Sequence, residues 1–229
     1  MAFQTSVATQ QSPGIEGGFC GNNPIFTLTN PDEGMWVAGS AGVTIGQFAW
    51  ANTANGQVSS AHPGVATVRY GFVHRDQPAV ITGLLSGTSN LVVAGQGIDL
   101  LEDGPVWARF AAGATIGHKV YMSYADGSVV SAATGSAATV TRSVTTTNTS
   151  TTISYTGGAI YAGQPVSGTG IPAGAYIVSV NATAGTAVLS AAATASGTVT
   201  GTFTTNYETA WSVRSTAGNG ELAKISVRG

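Results

Sequence analysis

Charge is the scarcest property of this 229-residue chain. Eight Lys and Arg face ten Asp and Glu, so charged residues make up 8% of the sequence and the net charge is -2. A typical soluble protein carries about 25%. A basic face able to neutralise a run of phosphates is excluded, and electrostatic binding to nucleic acid with it. Cys20 is alone, which excludes an intrachain disulfide and a cysteine-based zinc cluster. Histidine is limited to His62, His74 and His118, and no two stand at metal-ligand spacing. The N-terminus has no basic region followed by an apolar run, and no apolar stretch approaches about 18 residues. The expectation is a chain made in a cytoplasm, with no signal peptide, no membrane span and no membrane partner.

What is abundant points to β structure. Hydrophobic residues make up 43% and the net charge is small, which excludes charge-driven disorder; there are also 32 glycines. Gly, Thr and Val outnumber Leu, Glu and Lys, which argues against a helical bundle. The length suffices for a sizeable core. The fold expected is all-β: a compact β-barrel or β-sandwich with an extended N-terminal arm and a second small β domain inserted near the C-terminus.

Three regions differ in composition. Residues 1–36 have no sustained period and carry Pro13, Pro24 and Pro31 among several glycines. They read as an arm that lies on a neighbouring subunit, or as a loop-rich entry into the domain. Residues 37–139 with 207–229 read as the main β domain. Val68–Val73 and Ala79–Thr82 are strand-like. Three hairpins are expected: Ile98–Leu101 with Val106–Phe110, Lys119–Tyr124 with Ser128–Ser131, and Thr209–Arg214 with Glu221–Val227. Asp126-Gly127 and Gly218-Asn219-Gly220 are suited to the turns of the last two. A repeat, A-G-x-T-I-G-x-x-x-aromatic, occurs at Ala41–Trp50 and at Ala112–Tyr121. Its glycines should bracket a tight turn, and its aromatic residue should enter the core. One recurrence implies two similar turns and no solenoid.

Residues 140–206 form the third region. From Ser143 to Tyr207 there is no Asp, Glu, Lys or Arg, and sixteen residues are threonine. Threonine favours strands, and its hydroxyl keeps a surface wet without charge. Thr151–Tyr155, Ala175–Val180, Ala187–Ser190 and Thr198–Thr204 read as strands between glycine turns. Ordered apolar positions, among them Ile153, Ile160, Val166, Ile171 and Ile177, favour a folded inserted module over a low-complexity linker.

Candidate chemistry is thin. His74-Arg75-Asp76 mimics a kinase catalytic triplet, but the asparagine due five residues later is Ile81. Asp32-Glu33 and Glu102-Asp103 are adjacent acids in turns, where a glycosidase needs two facing ones. Asn148-Thr149-Ser150 and Asn181-Ala182-Thr183 match a glycosylation pattern expected by chance in so threonine-rich a segment. No catalytic, cofactor-binding or metal-binding residue is assigned, and no enzyme activity is expected. Trp50, Trp107 and Trp211 fall inside strand patterns and read as core rather than as a sugar platform. Trp36 sits at the edge of the arm. Phe3, Val7, Ile15, Phe19, Phe26 and Trp36 are the contact candidates for a partner.

The start Met1-Ala2-Phe3-Gln4-Thr5-Ser6-Val7 resembles that of phage capsid cement (decoration) proteins. So do Ala38–Trp50, Gly71-Phe72-Val73-His74-Arg75 and Gly220–Ser226, and the likeness covers roughly residues 1–135 and 208–229. Gly163–Gly174 is similar to a glycine-rich β module found across phage virion proteins. The resemblance implies a structural protein on the outer surface of an expanded capsid. It would act as a homo-oligomer, trimer or dimer, with the major capsid protein as partner. Burying Phe3, Val7, Ile15 and Phe19 at about 1.5–3 kcal/mol each would suit such a role. The alternative is a tail, fibre or adhesin module whose hydroxyl-rich insert binds host-surface glycans.

Overall fold

A computed structural model describes residues 14–30, 34–65, 67–76 and 90–228. These residues form twenty strands and no helix. The first nine are β1 (Phe26–Thr27), β2 (Trp36–Ala38), β3 (Val43–Thr44), β4 (Phe48–Asn52), β5 (Gln57–Ser59), β6 (Val68–Val73), β7 (Leu91–Val92), β8 (Gly97–Ile98) and β9 (Leu100–Asp103). Then come β10 (Val106–Phe110), β11 (Lys119–Ser123) and β12 (Val129–Ala132). The threonine-rich region supplies β13 (Thr139–Thr146), β14 (Thr152–Thr156), β15 (Val166–Ser167), β16 (Ile177–Asn181), β17 (Thr186–Leu189) and β18 (Gly197–Thr204). The chain ends with β19 (Asn206–Val213) and β20 (Glu221–Ser226).

The strands make a seven-stranded sheet in the order β1-β9-β6-β4-β5-β2-β8 and a five-stranded sheet in the order β10-β20-β19-β11-β12. The threonine-rich strands form a six-stranded sheet of their own, β15-β18-β13-β14-β17-β16, and β3 pairs with β7 alone. Strand β4 shows how the main core is organised. Successive side chains of a strand point to opposite faces. Phe48 and Trp50 enter a core shared with the five-stranded sheet, beside Phe72, Phe110 and Trp211. Ala49 and Ala51 face a second core with Trp36, Val43, Val58 and Leu100, around which the seven-stranded sheet curls. Small residues on that face leave room for the curl. The repeat behaves as its pattern demands: Gly42, Gly46, Gly113 and Gly117 all have φ between 70° and 88°. The aromatic residues it delivers, Trp50 and Tyr121, are buried.

Two of the three expected hairpins form, β11 with β12 and β19 with β20. The third does not. Strand β9 belongs to the seven-stranded sheet and β10 to the five-stranded one. Pro105 has no N–H to close a turn, and Gly104 takes φ 148°. The Asp103 carboxylate accepts from Gly104 N (2.7 Å) and Val227 N (3.2 Å), and pairs with Arg228 Nε at 3.0 Å. The acidic turn is therefore a crossover between sheets, tied to the end of β20. The strand expected at Ala79–Thr82 lies outside the described residues, as do Asp32 and Glu33.

The described part of the N-terminal segment runs extended along its own chain. Gly17 N donates to Trp107 O (2.8 Å), Trp107 N to Gly18 O (2.9 Å) and Cys20 N to Pro105 O (2.9 Å). Phe26 and Thr27 then pair with β9. This covers β10 and β9, which would otherwise present open edges.

The six-stranded sheet encloses its own core of Val144, Ile153, Ile160, Val166, Ile177, Leu189 and Phe203. Threonine also serves inside: the Thr146 hydroxyl donates to Ala195 O at 2.8 Å. Where the chain enters and leaves this sheet, Glu208 Oε2 accepts from Gly135 N and from the Tyr121 hydroxyl, both at 2.8 Å.

Candidate functional site

Among the described residues, a cleft of about 680 Å³ opens at the foot of the six-stranded sheet. Its back wall is aromatic because of strand register. Trp50 on β4 stands opposite Tyr70 on β6. The Tyr124 ring stacks on Trp50 at 5.6 Å and 15°, and His62 meets Trp50 at 4.5 Å. Tyr207, from β19, lies 5.6 Å from Trp50 and 5.2 Å from Tyr70.

Close backbone approach joins the threonine-rich strands to this wall. A Cβ on Gly64 (φ +74°) would lie 2.7 Å from the carbonyl oxygen of Val178. A Cβ on Gly163 (φ +80°) would lie 2.6 Å from the His62 ring. A larger residue would have to displace the Val178 backbone at the first point and the His62 ring at the second. The contact brings Gly163 and Tyr176 to the cleft. On the other side stand Phe26, with the Arg228 guanidinium 4.5 Å from its ring centre, and the Arg69–Glu102 ion pair.

The cleft is electrically balanced. Each of its two arginines is paired with a carboxylate, Arg69 with Glu102 and Arg228 with Asp103. Burial pushes the His62 imidazole down to about 4, so it is neutral at pH 7, and its Nδ1 accepts from Gly64 N at 3.1 Å. Burial holds the Tyr70 hydroxyl above its ordinary value and raises Tyr124 to about 12. His62 is therefore a neutral hydrogen-bond acceptor here, and the cleft offers aromatic rings beside paired charges. Among the described residues no group of three or more His, Cys, Asp or Glu is placed to hold a metal ion. No helix among them is long and apolar enough to cross a membrane.

The contact candidates read from the sequence scatter. Phe3 and Val7 lie outside the described residues. Ile15 is 66% exposed, and Phe19 is 42% exposed with its ring 5.3 Å from His74. Phe26, also 42% exposed, is the one that reaches the cleft. Trp36 is 2% exposed and its indole N–H donates to Leu28 O at 2.7 Å. It is a core residue of the curled sheet and offers no surface to a partner. Sequence reasoning did not find Tyr70, Tyr176 and Tyr207. Period-two patterning marks each as a strand or turn aromatic, but only the sheet order brings them together.

A family model described as XM1 gp53 minor capsid protein matches residues 3–160. The match takes in β1 to β14 and stops before the last four strands of the six-stranded sheet and the final hairpin. A comparison with curated proteins gives no match. The all-β architecture, the charge-poor surface and a family match over more than half of its length together place this chain in the XM1 gp53 minor capsid protein family, as a structural protein of a phage capsid.

Proposed function

We propose that the protein binds the outer surface of an expanded phage capsid as a homo-oligomer and stabilises contacts between neighbouring capsomers. The observation that carries this reading is an apolar strip on the N-terminal segment. Ile15, Phe19, Ile25 and Phe26 are large, exposed and close in sequence, and hydrogen bonds fix that segment to the main sheets. Such a strip is ordered before it meets a partner, so less entropy is lost on docking. Residues 1–13 would extend the contact as an arm, with Phe3 and Val7 as its anchors. Many copies on one lattice multiply weak individual contacts. The threonine-rich sheet, with little charge and a wet surface, would project away from the capsid.

Co-sedimentation with expanded heads lacking the protein tests the proposal. Saturable binding at a fixed ratio to the major capsid subunit is expected, and cross-linking of the bound form gives the oligomer. Deleting Met1–Ser12 should weaken binding without unfolding the sheets. Protein that stays in the supernatant at micromolar concentration would sink the capsid-surface reading.

A further inference from the structure

We propose that the aromatic cleft at the foot of the six-stranded sheet binds a neutral oligosaccharide. Its volume of about 680 Å³ falls within the range of small-molecule sites. Its chemistry narrows the ligand. Phe26, Tyr176 and Tyr207 are each 37–42% exposed, so their rings remain open to a partner. The electron-rich face of an aromatic ring attracts polarised C–H groups, and one face of a pyranose ring is a patch of C–H. The same sugar carries hydroxyls around its rim. The cleft meets these with tyrosine hydroxyls and with the Arg69–Glu102 pair, both of whose side chains are 44% exposed. A guanidinium donates to a sugar oxygen, and a carboxylate accepts from a sugar hydroxyl.

Charge excludes the main rivals. The two arginines of the cleft are matched by Glu102 and Asp103, so no surplus positive charge is left to hold a phosphate, sulfate or sialic acid. An aliphatic ligand would desolvate the ion pair and the tyrosine hydroxyls and offer them no hydrogen bond in return. A neutral, polyhydroxylated molecule with apolar faces matches both halves of the lining. The cleft is assembled by the docking of the two regions: Trp50, Tyr70 and Tyr207 come from the main sheets, Gly163 and Tyr176 from the threonine-rich one. Phe26 is shared with the proposed capsid contact, so the cleft is tested on the free protein, where that ring is open.

The test is an array of neutral and acidic oligosaccharides built from hexoses and N-acetylhexosamines, probed with the full chain. The best neutral binder is then titrated in solution by following tryptophan emission, since Trp50 lines the cleft. Saturable binding is expected, weakened at least 10-fold by Tyr176→Ala or Tyr207→Ala. Tyr176→Phe should keep most of it, because the ring face remains. Ile116→Ser, at an exposed position outside the cleft, should leave binding unchanged. Tyr176 is the cleaner site, because Tyr207 also packs against Trp50 and Tyr70. Silence across the neutral glycans at millimolar concentration would overturn the assignment. So would preference for acidic glycans, or unchanged affinity in Tyr176→Ala. If Tyr176→Ala instead abolishes co-sedimentation with heads while no glycan binds, the cleft is a protein-docking site and the sugar reading fails.

Discussion

The main sheets and the threonine-rich sheet solve the same problem, covering a β core, with different materials. The main core packs Phe48 edge-to-face on Phe72 and Trp211, stacks Trp50 on Tyr124, and includes Phe110. Around it lie the ion pairs Arg69–Glu102, Arg109–Glu16 and Arg228–Asp103. The smaller core is aliphatic except for Tyr155 and Phe203, and from Ser143 to Tyr207 its strands carry no Asp, Glu, Lys or Arg. Aromatic packing is geometrically demanding and holds one arrangement. Threonine-faced strands ask less of their neighbours, because β-branching favours the extended backbone and the hydroxyl satisfies water. The first region is therefore built to hold a shape, the second to stay soluble without charge.

The largest effects should separate the two cores. All four tryptophans, Trp36, Trp50, Trp107 and Trp211, lie in the main sheets, so their emission reports that region alone. Trp211→Ala should cost about 3–5 kcal/mol and shift the emission transition in urea. Phe203→Ala should cost a similar amount, about 3–5 kcal/mol, but move only the far-ultraviolet circular dichroism transition. If both substitutions shift both probes together, the two cores unfold as one unit and the contrast is only compositional. Gly64→Ala comes next, at about 2 kcal/mol, because its Cβ would press on the Val178 carbonyl. It should loosen the junction and lower protection of the Trp50 indole from acrylamide quenching. Unchanged quenching would mean that the contact at Gly64 does not hold the regions together.

The sequence made much of this legible. Charge depletion marked the threonine-rich region, and alternation placed β14, β16, β17 and β18 within a residue or two. The repeat's glycines announced their turns because positive φ is nearly theirs alone. What failed was any feature decided across sheets. Glu102-Asp103-Gly104 looks like a hairpin turn locally. It became a crossover because Val227 and Arg228, more than a hundred residues away, bind Asp103. Trp36 looked like an arm residue, yet β2 pairs with β5 and β8 and carries it into the core. The cleft was not legible at all. Tyr70, Tyr176 and Tyr207 belong to different sheets or to the junction, and no local period predicts their meeting.

Acid should destabilise the protein through His62, at the junction of the two regions. In the folded protein its imidazole protonates only near pH 4, against an ordinary 6.5, because burial penalises the charged ring. The unfolded chain thus takes up a proton between those values while the folded one does not. Stability should be full above about pH 6.5 and fall steadily toward pH 4. Glu208 adds to the fall at lower pH. Hydrogen bonds from Gly135 and Tyr121 hold its carboxyl below the ordinary value, so their contribution is lost as pH drops through the folded value. Urea midpoints read by tryptophan emission from pH 7 to 4 should decline, and His62→Gln should flatten the decline. A variant that declines as steeply as the parent would remove His62 from the explanation.

Salt should produce the smallest effect and the clearest contrast. The three ion pairs are at least partly exposed, and such pairs contribute about 0–1 kcal/mol each in water. Raising sodium chloride from about 0.05 to 0.5 M shortens the screening length several-fold and weakens each of them. The emission transition should therefore slip by a few tenths of a kcal/mol. The threonine-rich strands have nothing comparable to screen. Arg142, at their border, donates to the neighbouring Thr141 carbonyl. Salt also strengthens apolar burial slightly in both cores. The informative quantity is therefore the difference between the two transitions, measured in one sample. A difference that narrows with salt is expected if the main region starts as the more stable. A dichroism transition that falls as fast as the emission transition would show that the charge-free sheet borrows its stability from the main sheets across the Gly64 and Gly163 contacts.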